Sequence, residues 1–168
     1  MPITTLHLPT PLGTFTLKAD DAGLCSLLFP EEGELERVSN SAGMVDEASV
    51  APAPVLQEAA QQLLAYLDGR LFHFDLPLSY GGTAFQRQVW QELLAIPYGE
   101  TMSYGELAAN LGNRNKARAV GGAAHVNPIG IIIPCHRLIG ASGSLTGFGG
   151  GLKMKETLLD LERGNKRK

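Results

Sequence analysis

Five consecutive residues, Ile129-Gly130-Ile131-Ile132-Ile133, carry no polar side chain, and the run breaks off at Pro134-Cys135-His136-Arg137. A run that is apolar on both alternating faces needs cover from both sides, so the pattern predicts a buried strand. The break then puts a cysteine and a histidine at the end of a rigid element, a place where scaffolds present reactive groups. Thiol beside imidazole is the minimum set for a nucleophilic sulfur, and the positive charge of His136 and Arg137 is expected to lower the thiol pKa. Consecutive residues of an extended segment point to opposite faces, so direct contact between Cys135 and His136 needs a local turn or a bridging water. A free cysteine by itself is more often a buried structural residue; the basic neighbours move Cys135 toward function.

A chain of 168 residues makes one large domain or two small ones and can bury a core without a disulfide or a metal. The two cysteines, Cys25 and Cys135, suggest a reducing, cytosolic setting. No basic segment followed by an apolar stretch opens the chain, so no signal peptide is read, and no apolar run approaches the ~20 residues that span a bilayer. The expectation is a cytoplasmic protein, in the bacterial cytosol or nucleoid, with no membrane partner. The net charge of −3 hides an asymmetry: residues 1–80 hold 3 Lys/Arg against 11 Asp/Glu, and residues 81–168 hold 11 against 6. A split of this kind suggests that the second part meets a polyanion; a solubility bias with a basic tail explains it equally well.

Periodicity changes along the chain in the same place. Leu6-His7-Leu8, Thr14-Phe15-Thr16-Leu17-Lys18 and Gly23-Leu24-Cys25-Ser26-Leu27-Leu28-Phe29 read as strands, the first two joined by a turn at Pro11-Leu12-Gly13. Residues 30–54 have no clear period and read as loop. Leu56, Ala60, Leu63, Leu64 and Leu67 follow helical spacing up to a capping Gly69, and Leu71-Phe72-His73-Phe74-Asp75-Leu76 alternates again. Tyr80-Gly81-Gly82 reads as a linker, giving domains 1–80 and 81–168. Beyond it, Thr83-Ala84-Phe85-Gln86 and Ser103-Tyr104-Gly105-Glu106 are capping boxes. The first leads a stripe of Phe85, Val89, Trp90, Leu93 and Leu94 that ends before Pro97; the second leads Leu107, Ala108 and Leu111, closed by Gly112. A turn at Asn113-Arg114-Asn115 and a helix of small residues over 116–126 complete a helix-turn-helix pattern, and residues 153–163 form a last helix with Leu158, Leu159 and Leu161 inward. The fold class expected is α/β (α+β): a small mixed or antiparallel sheet domain, then a mainly helical domain with a helix-turn-helix.

Arg118-Ala119-Val120-Gly121-Gly122-Ala123-Ala124 is unusual for a helix, since two glycines cost roughly 1 kcal/mol each relative to alanine. Either two helices pack tightly there, or a DNA backbone lies against the helix with Arg118 as its one long side chain, able to enter the minor groove and take a displaced base's place. Cys25, in an apolar strand without basic neighbours, reads as inert core.

Ile133-Pro134-Cys135-His136-Arg137 resembles the active-site signature of the O6-alkylguanine-DNA alkyltransferases, the methylated-DNA-protein-cysteine methyltransferases. The resemblance extends over residues 83–162 through Ser103-Tyr104-Gly105-Glu106-Leu107-Ala108, Arg118-Ala119-Val120-Gly121-Gly122-Ala123, Asn127-Pro128 and Thr146-Gly147-Phe148-Gly149-Gly150-Gly151, and is one of pattern only over residues 1–80. It implies DNA repair by direct damage reversal, in which O6-alkylguanine, and with it O4-alkylthymine as a second candidate, is flipped out of double-stranded DNA and its alkyl group moves irreversibly to Cys135. It implies further that His136 takes the thiol proton through a water, oriented by Glu162; that Asn127 braces the cysteine segment; and that Tyr104 donates a proton to the leaving guanine. Arg118 would fill the vacated stack, with Ala119, Gly121, Gly122, Ser103 and Arg137 also on the DNA side, and Leu138, Phe148 and Gly149 would line the base pocket. Phe148 stands where tyrosine is common, which removes one hydroxyl from that pocket. Cys25 lacks companion ligands, and His7 and His73 read as surface or strand-packing residues, so no metal is expected; nor is a cofactor, and the protein is expected to be a monomer. Two other classes use the same residues. A Cys-His hydrolase, with Glu162 completing a triad, leaves the Gly-Gly helix and the basic half unexplained, and a non-reactive sensor of alkylated DNA would have no need of Cys135.

Overall fold

The structure, a computed structural model, describes residues 3–30, 53–141 and 151–165. The loop expected over 30–54 therefore lies almost wholly outside the described residues. The chain divides into two compact units, Met1–Tyr80 and Gly81–Lys168.

In the first unit, β1 (Thr4–Thr10), β2 (Gly13–Ala19) and β3 (Leu24–Leu28) form an antiparallel sheet in that order. The alternation read in β2 is real: Phe15, Leu17 and Ala19 are buried while Thr14, Thr16 and Lys18 are half-buried. Helix α1 (Pro54–Leu67) lays Leu56, Ala59, Leu63 and Tyr66 over this apolar face. Cys25 is half-buried rather than core. Burial first, then the charge of Asp20, raises its pKa, so it stays a thiol.

Residues 71–76 are not a strand, despite their alternation. The backbone here bonds to α1 instead of to a strand: Leu71 N donates to Ala65 O at 3.2 Å, Asp75 N donates to Gln62 Oε1 at 2.9 Å and Gln62 Nε2 donates to Asp75 O at 3.0 Å. Sheet pairing is confined to the next few residues, where Leu24 N donates to Pro77 O and Ser79 N to Leu24 O, each at 2.8 Å. A side chain on Gly23 would collide with the Pro77 carbonyl, which explains a glycine at the start of β3.

The second unit is helical. Both capping boxes form: Thr83 opens α2 (Ala84–Leu94) and Ser103 opens α3 (Tyr104–Asn110), each with reciprocal bonds to the residue three further on. Asn113 caps a 3-10 turn (Arg114–Lys116) that leads directly into α4 (Ala117–His125), so α3, turn and α4 make the helix-turn-helix. Trp90 Nε1 donates to Ala123 O at 2.9 Å, pinning α4 against α2 through a buried bond. The last helix, α5 (Leu152–Asn165), buries Met154, Lys155, Leu158, Leu159 and Glu162. Leu161 is only half-buried, because the inward stripe follows 155, 158, 159 and 162, and a residue one position off lies ~100° around the helix.

Candidate active site

The apolar run is buried but is not a strand. It coils into consecutive turns: Ile132 N donates to Gly130 O at 2.7 Å, Ile133 N to Ile129 O at 3.0 Å, and Cys135 N to Ile133 O at 2.8 Å. Ile131 takes φ 67, a left-handed conformation that a β-branched residue avoids at a cost of ~1–3 kcal/mol. Pro134, at φ −80 and ψ 66, is the centre of an inverse γ-turn. One side chain clamps this coil. Asn127 Nδ2 donates to Ile133 O at 2.7 Å while its Oδ1 accepts from Ile129 N at 3.0 Å, closing the loop that the ladder of a strand would have held open. The prolines on either side, Pro128 and Pro134, lack the N–H a central strand requires.

The coil delivers Cys135–Arg137 as a 3-10 turn, with all three side chains buried. This is the local turn that a neighbouring cysteine and histidine need in order to share one site. Glu162, reaching in from α5, collects the donors around it. It accepts from His136 Nε2 at 2.6 Å, from Arg137 Nε at 2.8 Å and Nη2 at 3.0 Å, and from Gly99 N at 3.0 Å. Arg137 also donates from Nη1 to Ile96 O at 2.6 Å and lies 5.7 Å over the Tyr98 ring. Arg137 is thus an internal ion-pair residue and is corrected from the DNA-facing set: its guanidinium is spent on Glu162 and on the 96–99 loop.

Electrostatics overturn a second expectation. Burial pushes the Cys135 thiol up to about 11, against the lowering effects of a hydrogen bond from Asn127 and the charge of Lys155. The positive charge of Arg137, expected to acidify the sulfur, is neutralised by Glu162 instead. At neutral pH the sulfur therefore rests as a thiol, so a base must act during the reaction. His136 suits that part. Burial lowers its pKa against the pull of Glu162, which keeps the imidazole neutral, with Nε2–H directed at the carboxylate and Nδ1 as the basic position. Burial alone would raise the Glu162 carboxyl, but its bond to His136, the charge His136 carries once it is protonated in acid, and then the bond and charge of Arg137 hold it at about 2.

The other expected site residues fall into two groups. Leu138 is buried and pairs with Met102, and Ile139 with Ser103, in the two-stranded parallel contact of β4 (Met102–Ser103) and β5 (Leu138–Ile139). That pairing ties the start of α3, Ser103 and Tyr104, to the chain just past Cys135. The Tyr104 ring passes 3.5 Å from the position of a side chain on Gly121. Arg118, Ala119 and Gly122 lie on the exposed face of α4, where a side chain on Gly122 would meet nothing in the protein. Phe148 and Gly149 lie outside the described residues. Sequence reasoning missed Lys155, which is 1% exposed and donates to Leu138 O at 2.5 Å. The signal was present, since a lysine at 155 falls on the same helical stripe as Leu158, Leu159 and Glu162. Among the described residues no group of three or more His, Cys, Asp or Glu could hold a metal ion, and no helix is long and apolar enough to cross a membrane.

A small antiparallel sheet with a covering helix, followed by a helical unit that couples a helix-turn-helix to a buried Cys-His-Glu arrangement, defines a DNA-directed protein with a nucleophilic thiol. Residues 84–164 match the family model of the 6-O-methylguanine DNA methyltransferase DNA binding domain, and residues 5–80 that of its ribonuclease-like domain. A methylated-DNA--protein-cysteine methyltransferase of Methanosarcina acetivorans is 46% identical over 153 residues, covering 91% of this chain and 94% of that protein. One from Mycolicibacterium paratuberculosis is 59% identical over 105 residues, 62% of this chain and 64% of that protein. The crystal structure of the Mycobacterium tuberculosis O6-methylguanine methyltransferase superposes with a TM-score of 0.78 at 42% identity, covering 98% of this chain and 94% of that one. The structure of that organism's enzyme in complex with DNA gives the same TM-score at 43% identity, covering 97% and 93%. The chain belongs to the 6-O-methylguanine DNA methyltransferase family.

Proposed function

We propose that this protein repairs DNA by direct reversal, extruding an O6-alkylated guanine from the duplex and moving the alkyl group onto Sγ of Cys135. The observation that carries the reading is the buried turn that joins Cys135 to His136 and, through a 2.6 Å contact, His136 to Glu162. The target carbon is bonded to a base oxygen, so attack needs a desolvated sulfur and a protonated leaving group, and neither is reachable inside a stacked duplex.

In this reading the thiol proton passes through a water to His136 Nδ1, and the imidazolium is stabilised by the Glu162 carboxylate. Sulfur then forms its bond to the alkyl carbon as the carbon–O6 bond breaks. The electron pair goes to the guanine ring, which takes a proton from the Tyr104 hydroxyl. His136 then gives up its extra proton to solvent and Tyr104 takes one back, so the balance closes with no cofactor. Asn127 holds the cysteine coil in shape throughout. Arg118 fills the stack left by the flipped nucleotide, the Ala119, Gly121 and Gly122 face of α4 lets the DNA backbone approach, and Ser103 faces the same backbone. Leu138, Phe148 and Gly149 line the base pocket, and O4-alkylthymine is a second candidate substrate. The second unit carries both the DNA contacts and the chemistry, the protein works as a monomer, and its place of action is the compartment that holds the DNA, the bacterial cytosol or nucleoid.

The test is direct. The protein is incubated with a duplex carrying one O6-methylguanine, digested, and its peptides weighed. A gain of one methyl on the peptide containing Cys135 is expected; a methyl elsewhere, or an acyl adduct with ester substrates in its place, would overturn the reading.

A further inference from the structure

We propose that Arg114 grips a DNA backbone phosphate at the rim of the base pocket, and that Gly105 is the seat that holds its guanidinium there. The inference rests on the DNA-repair reading above. Gly105 stands in the first turn of α3, in helical backbone, where glycine weakens the helix and no left-handed conformation calls for it. The space a side chain would take there is filled by another residue. A Cβ on Gly105 would lie 3.2 Å from Arg114 Nη1, 3.9 Å from Arg114 Cγ and 4.0 Å from Ser103 Oγ. The arginine of the helix-turn-helix turn therefore lies back across α3, on the side where the Ser103 hydroxyl also lies. Its surroundings leave the charge available. Arg114 is exposed, and among the described residues no carboxylate pairs with it. Glu106, the acid next to Gly105, directs its carboxylate to Ser103 N at 3.1 Å. Lys116, two residues on in the same turn, is drawn onto α2 instead, its ammonium 5.5 Å over the Phe85 ring.

The seat adjoins the base pocket. Tyr104, the residue before Gly105, passes its ring 3.5 Å from the position of a side chain on Gly121 of α4, and Ser103 pairs with Ile139 just past the Cys135 turn. A nucleotide that sends its base past Tyr104 toward Cys135 leaves its phosphates outside, at the first turn of α3. A planar guanidinium offers such a phosphate two parallel N–H donors as well as a charge. An arginine already laid in place loses less freedom on binding than one that waves in solvent. Arg118 and Arg114 then divide the work: Arg118 occupies the stack the base has left, and Arg114 holds the backbone beside the pocket.

A surface arginine that only adds to the positive field is insensitive to where its guanidinium rests, so the test moves the group without removing its charge. Undamaged duplex is titrated by fluorescence anisotropy, across salt concentrations, with the full-length protein, Arg114→Ala, Gly105→Leu and the double variant. Loss of one phosphate contact should flatten the log–log salt slope by about 0.9 in Arg114→Ala. Gly105→Leu keeps the net charge and favours the helix, yet should flatten the slope by about the same amount, and the double variant should do no more than either alone. An unchanged slope in Arg114→Ala would overturn the phosphate contact. An unchanged slope in Gly105→Leu, or a further loss in the double variant, would overturn the seat. Should Gly105→Leu not fold, the unsubstituted protein answers instead: phenylglyoxal labelling of Arg114, mapped by peptide mass, should be blocked by duplex, and labelling unaffected by duplex would overturn the proposal. A protein with the expected slopes that gains no methyl on Cys135 from damaged duplex would lose the transfer reading and keep Arg114 as a phosphate contact. One that binds no duplex at low salt would lose both.

Discussion

Glu162 is the residue through which the site's charges are organised, and it is also where acid should undo the fold. Its carboxyl is held at about 2, against 4.5 for the group when exposed. A depressed carboxyl contributes stability that is complete above the unfolded value and is lost as pH falls through the folded one. For this group that stability disappears as pH falls from roughly 4.5 toward 2. His136 adds in the same direction: its folded pKa is lowered by burial, so the unfolded chain takes up the proton first as pH drops below about 6.5. Melting temperature should therefore fall steadily from neutral toward acid pH. In Glu162→Gln the lower part of that dependence should vanish, while the variant as a whole loses roughly 3–5 kcal/mol because Arg137 is left buried without its counter-charge. Melts of both proteins across pH check this. At the thiols, Cys135→Ser should abolish alkyl transfer and keep DNA binding, because a hydroxyl fits the space but is far less acidic. Cys25→Ser should keep full transfer with little change in Tm.

At the level of elements, α4 carries the most unusual prediction. A side chain on Gly122 would meet nothing within the protein, so alanine there should stabilise the helix by up to ~1 kcal/mol. If DNA lies on that face, the same Gly122→Ala should weaken duplex binding. A variant that melts higher yet binds less, read by thermal melts and fluorescence anisotropy, is the expected outcome; higher stability with unchanged binding would take the DNA off this face. Arg118→Ala should slow repair of duplex substrate far more than reaction with free O6-benzylguanine if, as proposed, the exposed side chain holds the flipped state and leaves the thiol untouched. Elements also show what local sequence can and cannot reveal. The capping boxes at Thr83 and Ser103 were legible because donor and acceptor sit three residues apart, and the helix stripes because burial repeats at a fixed spacing. The alternation over 71–76 and the Ile129–Ile133 run misled because an apolar pattern reports burial, not which partner satisfies the backbone. In the first segment Gln62 takes the backbone of Asp75, and in the second Asn127 and turns that include a strained Ile131 do the pairing.

For the molecule as a whole, the thioether formed at Cys135 is a poor leaving group, and no step of the proposed chemistry removes it. Demethylation should plateau at about one alkyl group per protein molecule. Titrating excess methylated duplex against a fixed amount of protein measures this, and turnover well past that ratio would sink single use. The alkyl group adds bulk to a site where Cys135 and His136 are already buried, so the spent protein should melt as if ~1–3 kcal/mol less stable. DNA binding should fall steeply with salt, each neutralised phosphate adding about −0.9 to the log–log slope.

What the sequence determined by itself was whatever depends on neighbours along the chain: the helix starts, the amphipathic stripes, the change of period near Tyr80, and the cysteine signature that names the family. Tertiary structure decided the chemistry of that signature. Only the fold brings Glu162 across 26 residues to His136, turns Arg137 inward from the DNA side, buries Cys135 so that its pKa rises instead of falling, and sets Lys155 at the turn. Charge interactions and desolvation depend on distances in space, and a linear chain does not carry those until its helices pack.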